Sequence, residues 1–202
     1  YKPAEQKRAG YWACRYKTSD NPIITDEEIA EAKATMPPTM FSQEYEADFV
    51  NFEGAVYGEL VEPQILRTDA EVKKIIPEWP KVDPWRVTLV GIDTGANHPF
   101  GAVKMVSCDK GLVVVGEYLE RYRTFVEHAN SIKQLAGSLN VKYAINKNEL
   151  QPAIELSQHG IHCMKAENDQ VAGAERVKTW LHTKNLWFVE PLCQMTINQM
   201  KT

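Results

Sequence analysis

The order of periodicities after Trp85 constrains this chain more than any other feature. Residues 86–92 are apolar at nearly every position, the mark of a strand covered on both faces and so placed inside a sheet. Residues 102–107 and 112–118 read as two more strands, joined by the hairpin turn Cys108-Asp109-Lys110-Gly111. The period then switches to that of a helix over 124–137, with Phe125, Ala129, Ile132 and Leu135 inward. From there strand and helix alternate. A strand at 141–145 leads to a helix at 150–158 ended by Gly160, and a strand at 161–165 leads to a helix at 169–182. That helix turns Val171, Ala174, Val177 and Leu181 inward; a short strand at 186–189 and a last helix after Pro191 follow. Antiparallel hairpin strands followed by parallel crossovers make an α/β sheet of mixed direction flanked by helices.

The first part of the chain has a different grammar. Ser19-Asp20-Asn21-Pro22 is a turn signal. Thr25 and Glu28 have the spacing of a capping box, which predicts a helix reaching about Met36 with Ile29, Ala32, Lys33 and Met36 near one face. Pro37-Pro38 is expected to stop it. In FSQEYEADF the aromatics Phe41, Tyr45 and Phe49 fall on one side of a second helix, and Gly54 and Gly58 bracket a short strand at 55–57. Residues 63–84 read as a connector broken by Pro63, Pro77, Pro80 and Pro84, with a short helix at 70–76. The expected layout is one segment at 1–62, a linker at 63–84 and a domain at 85–202, with no internal repeat.

Bulk properties remove several classes. A formal net charge of −4 gives no global basic field for nucleic acid, so any such contact must be local. No apolar run approaches the ~20 residues of a membrane span, and YKPAEQKRAG contains no signal-peptide core. Cys14, Cys108, Cys163 and Cys193 are far apart and read as reduced, buried thiols. His159, His162 and Cys163 flank Gly160 at a turn and have no second ligand pair, so zinc is not expected there.

The apolar run at 86–92 ends in Asp93-Thr94-Gly95. A retroviral-type aspartic protease carries such a tripeptide, but in an all-β fold that three later helices exclude. An actin-like ATPase needs a second glycine-rich phosphate loop, which the chain lacks. An aspartate also opens many turns with no further role. In a metal-dependent nuclease, two divalent ions ~4 Å apart activate a water and stabilise the leaving oxygen, held by carboxylates from adjacent strand ends. In a sheet of this strand order, that of the RNase H-like fold, the first central strand lies beside the fourth. A second acid is therefore expected just after Ile145. The sequence has Asn146 there, and Glu149 three residues on.

On these residues the chain resembles the large terminase subunit of tailed bacteriophages, the motor that packages viral DNA. SDNPIITDEEIAEAKATMPPTMFSQEYEADFVNFEGAVY is similar to the segment closing the motor's ATPase domain; VTLVGIDTGANHPFGAVKMV resembles the first two nuclease strands; YAINKNELQPAIELSQHGIHCMKAENDQVAGAERVKTWL resembles the part carrying the second acid. The resemblance implies an RNase H-like endonuclease domain at 85–202, C-terminally incomplete, cutting concatemeric double-stranded DNA with Mg or Mn. It places the metal anchor at Asp93 and the second acid at Asn146, with Thr94 and Gly95 shaping the turn that aims Asp93. It implies that residues 1–62 trail the ATPase domain of the same polypeptide, where ATP would act upstream of this chain, since no G-x-x-x-x-G-K-[ST] loop occurs. The implied partners are double-stranded DNA, a portal protein and a small terminase subunit, with no membrane; the implied setting is the host-cell cytoplasm, transiently docked on the viral procapsid.

Two departures bear on activity. Asparagine at 146 removes a charge and an oxygen pair from a site for hard cations, which prefer carboxylates. The family's third acid lies beyond TINQMKT, where the chain ends. An impaired centre is expected, unless Glu149 or Glu120 supplies the missing charge; both also read as ordinary surface acids. Lys147, Lys165, Arg176 and Lys178 are candidates for DNA contact, and Arg121 and Arg123 raise the same question. Trp12, Trp85, Trp180 and Trp187 read as packing. The alternative is a non-catalytic docking module on the same fold.

Overall fold

The structure, a computed structural model, describes residues 16–47, 56–81, 86–95, 99–137 and 140–201. Expectations attached to Trp12, Cys14, Phe49, Ala55, Pro84 and Trp85 lie outside these residues. The chain divides into two compact units, Tyr1–Glu53 and Gly54–Thr202.

In the first unit, α1 (Asp26–Thr35) starts where the capping box requires: Thr25 Oγ1 accepts from the Glu28 N–H, and the Glu28 carboxylate accepts from the Thr25 N–H at 2.9 Å. The proline pair does more than end α1. Pro38 opens α2 (Pro38–Glu44), since the first helical position has no N–H to satisfy and suits the fixed φ of proline. Phe41 and Tyr45 stack along α2 with ring centroids 5.0 Å apart.

The second unit is built on one seven-stranded sheet. Its strands are β1 (Ile65–Leu66), β2 (Thr88–Asp93), β3 (Phe100–Cys108), β4 (Gly111–Glu120), β5 (Val141–Asn146), β6 (Cys163–Ala166) and β7 (Leu186–Val189). Their order across the sheet is β1-β7-β4-β3-β2-β5-β6. The β2–β3 and β3–β4 pairs are antiparallel, and the other four pairs are parallel. This is the RNase H-like mixed sheet that the order of periodicities predicts. Helices α3 (Asp69–Lys73), α4 (Phe125–Ala136), α5 (Leu150–Gln158), α6 (Gln170–His182) and α7 (Gln194–Lys201) fill the connections. Among the described residues no helix is long and apolar enough to cross a membrane.

Strand alternation sorts the core into two layers. Val90, Ile92, Ala102 and Ile145 face Ala129, Ile132 and Leu156 of α4 and α5. On the other face Val114, Leu186 and Phe188 meet Leu181 of α6 and Ile197 of α7. Trp180 packs with this second cluster, and Trp187 with a third formed around Val72, Ile76 and Val113. The stretch read as a connector thus contributes an edge strand, β1 against β7, and the buried side chains Gln64, Val72, Ile75 and Ile76. Val56 and Tyr57 form a bend rather than a strand. Val171, expected inward, is 75% exposed because it lies in the first turn of α6, ahead of the point where that helix reaches the sheet.

His128 is buried within the α4 layer. Its ring stacks on Phe100 at 4.2 Å, and Nδ1 lies 2.8 Å from the Tyr118 hydroxyl. Burial, helped by Arg123, pushes its pKa below the ordinary value against the opposing pull of Glu127 and Glu120. The folded protein therefore takes up this proton less readily than the unfolded chain. The resulting stabilisation is complete above the unfolded value of about 6.5 and is lost as pH falls from there towards the lower folded value. Urea midpoints measured from about pH 7 to about pH 5 should decline, and less steeply in His128→Gln. Equal slopes in the two proteins would rule out this assignment.

Candidate functional site

Asp93 closes β2 and Asn146 closes β5. Ile92 and Ile145 are register partners in the parallel β2–β5 pair, so the residues that follow them emerge on the same face from strands ~5 Å apart. Both line a cavity of about 600 Å³ on the α6–α7 side, together with Gly101, Glu117, Thr196 and Gln199. Asp93 is exposed, and its Oδ1 accepts from the Gly95 N–H at 3.3 Å. Gly95 has φ +34°, in the left-handed range that favours glycine, so Asp-Thr-Gly is a turn that aims the carboxylate. The Thr94 hydroxyl donates to Glu149, which stands at the N-cap position of α5. Glu149 is thereby drawn to the turn beside Asp93.

Both ends of the Asn146 amide are hydrogen-bonded. Its Oδ1 accepts from the Asn148 N–H at 3.0 Å, and its Nδ2 donates to Asn168 Oδ1 at 3.0 Å. The second bond is one a carboxylate cannot make. A salt bridge from Lys147 to Glu167, 2.8 Å long, ties the same two loops and holds the Glu167 carboxyl below its usual range. The ends of β5 and β6 are thus cross-linked by polar side chains.

Other candidates are placed differently. Glu120 pairs with Phe100 in the β3–β4 register and so belongs to the α4 face, opposite Asp93, where it lies 3.7 Å from Arg123. The reason is a bulge. The register shifts between Lys104 and Met105, leaving Val115 unmatched, and a one-residue slip exchanges the faces of everything beyond it. Without it Glu120 would share the face of Asp93; with it Glu117 does. Glu117 was not singled out in the sequence, although an isolated acid within LVVVGEYLE is the same signal that marks Asp93. Its carboxylate accepts from the N–H groups of Met195 and Thr196 at 2.9 and 2.7 Å and from the Thr196 hydroxyl at 2.8 Å. It anchors the first turn of α7 as the roof of the cavity.

Lys165 is the register partner of Ile145 and lies on the face away from Asp93. Lys178 is buried and donates to Glu175 at 2.7 Å, so it cannot reach a phosphate. Lys147 and Arg176 are exposed. Cys163 and Cys193 are free thiols whose pKa values burial raises to about 11 and about 12, which leaves them unreactive.

A two-ion centre needs several hard oxygen ligands converging on one point. Among the described residues no three His, Cys, Asp or Glu side chains are grouped to hold a metal. Asp93 is available, but the Asn146 amide is spent on its neighbours. The described residues do not fit a two-metal site.

No family profile matches the sequence. The large terminase subunit of Escherichia phage T5 is 31% identical over 118 residues, which are 56% of this chain and 26% of that protein. Over that stretch the chain is similar in sequence to a large terminase subunit. A large terminase structure from a thermophilic bacteriophage matches 100% of the chain and 49% of its own length, with a TM-score of 0.74 and 14% identity. The nuclease domain of the large terminase from bacteriophage SPP1, solved with bound Mn, matches 69% of the chain and 77% of its own, with a TM-score of 0.52 and 17% identity. These structural likenesses concern the fold. The chain spans about a quarter of the T5 terminase and about half of the thermophilic one.

Proposed function

We propose that this chain is the nuclease-bearing portion of a viral DNA-packaging terminase, and that its cutting centre is disabled by Asn146. Its parent would cut concatemeric double-stranded DNA with Mg or Mn. The observation that carries the reading is the meeting of Asp93 and Asn146 on one face, at adjacent strand ends, beside a cavity that Glu117 and α7 roof over. The Gly95 bond occupies only Oδ1 of the exposed Asp93 carboxylate, which leaves its other oxygen free to face the cavity as a metal anchor would. In this reading the first unit trails the ATPase domain, which alone would use ATP, the 63–84 stretch leads from it while supplying the edge strand of the nuclease sheet, and the portal, the small subunit and the procapsid in the host cytoplasm are the setting. The rival reading is a non-catalytic docking scaffold, with which the amide pairing of Asn146 with Asn168 is equally compatible.

Calorimetric titration with Mn separates the two. Asn146→Asp restores a hard ligand, and rotation of the Asn168 amide lets it donate to the new carboxylate. Mn affinity should rise at least about tenfold, ~1.4 kcal/mol, and adding Asp93→Ala should remove the gain. Equal binding by the chain and both variants would leave only the scaffold. Plasmid nicking in Mn by the unaltered chain would refute the disabled centre.

A further inference from the structure

We infer that the β4–α4 loop, Arg121-Tyr122-Arg123, is a contact for the phosphate backbone of duplex DNA passing the Asp93 cavity. This rests on the reading that the fold handles DNA. The first support is position. β2 and β4 are both antiparallel to β3 and therefore run the same way, so the loop leaves the sheet at the end where Asp93 and Asn146 stand. Two strand spacings separate it from Asp93, roughly 10 Å. Each strand of a duplex carries one charge per ~3.4 Å of helix axis, so a backbone that brings a phosphate to Asp93 has further phosphates close enough for the loop to meet.

The second support is Tyr122. Its side chain is 99% exposed and its φ is +59°. A bulky residue in the left-handed region is strained, and full exposure means that no packing offsets the strain. The tyrosine serves nothing inside the protein. The third support is charge. Arg121 is exposed and makes no ion pair among the described residues, while Arg123 is half-exposed and partly shared with Glu120 at 3.7 Å. A guanidinium grips phosphate oxygens in a bidentate fork, and a phenol donates a single bond to the same group. The N-terminus of α4 takes no part, because Thr124 and Glu127 already cap it. Such a local knuckle is what an acidic chain requires to meet DNA.

The test is fluorescence anisotropy with a labelled mixed-sequence duplex over a salt series without divalent ions, paired with thermal melting. Arg121→Gln should bind several-fold more weakly at low salt, with a log–log salt slope shallower by about one. Tyr122→Asn, which tolerates the left-handed backbone, should lose affinity with an unchanged or higher melting temperature. Wild-type binding together with unaltered affinity and slope in both variants overturns the inference and leaves the nuclease reading standing. A lower melting temperature for Tyr122→Asn at unchanged affinity also overturns it, by making the loop structural. Failure of the wild-type chain to bind duplex overturns both.

Discussion

Gly111→Ala is expected to destabilise the Gly54–Thr202 unit by at least about 4 kcal/mol, the range in which single substitutions have an identifiable steric cause. Gly111 opens β4 with φ +134°, a conformation that costs a residue bearing a Cβ about 1–3 kcal/mol by itself. The larger problem is space. A Cβ there would sit 2.0 Å from the Asn185 carbonyl oxygen and 2.8 Å from its carbon, and both atoms are backbone. The Leu112 N–H donates to that same carbonyl at 2.9 Å, the bond that starts the β4–β7 pairing of Leu112 with Leu186. Relief of the clash therefore pulls β7 from β4 and exposes Leu186 and Phe188, both buried. Gly91 is the control, since a Cβ there meets nothing within 4 Å. Urea unfolding should show a large fall in midpoint for Gly111→Ala and little change for Gly91→Ala; a Gly111→Ala midpoint matching the parent would mean that Asn185 moves aside without loosening the β4–β7 pairing.

Local chemistry made much of this fold legible. Thr25 with Glu28 starts a helix where its spacing requires, because a cap is decided within four residues. Asp93 and Asn146 could be placed on one face because a parallel pair joined by a crossover has little freedom of register once both strands are apolar. What escaped reading was non-local. β1 has two residues, too few to display a period, and the prolines around it resemble a linker. Lys178 was a candidate for DNA contact, yet it is buried on α6 beside Glu175. The choice between Glu120 and Glu117 turned on the single unmatched residue Val115. Counting back from the hairpin gives the wrong face for every residue past it, and nothing in VVVGE announces which valine is extra.

Glu117→Leu should release the first turn of α7 and cost about 2–3 kcal/mol. A carboxylate that accepts three hydrogen bonds at a helix N-terminus combines charge-assisted bonding with a favourable dipole, and bonds to a charged group contribute about 1.5–3 kcal/mol each. Simple addition overstates the loss here, because Met195 is exposed and water can take over its N–H. Leucine fills the volume but leaves the Thr196 N–H without its partner. Hydrogen exchange should accelerate in α7, whose buried Ile197 docks on the Val114–Phe188 layer, while α4 and α5 on the opposite face stay protected. Unaltered exchange in α7 would show that Ile197 and Cys193 hold the helix without help. Glu117→Gln keeps one accepting oxygen and should fall between parent and leucine variant. Combining it with Asn146→Asp distinguishes an anchor from a ligand. Because the Glu117 carboxylate is already committed to α7, the Mn affinity gained by Asn146→Asp alone should persist in the double substitution. A loss comparable to that caused by Asp93→Ala would instead make Glu117 part of the cation's own ligand set.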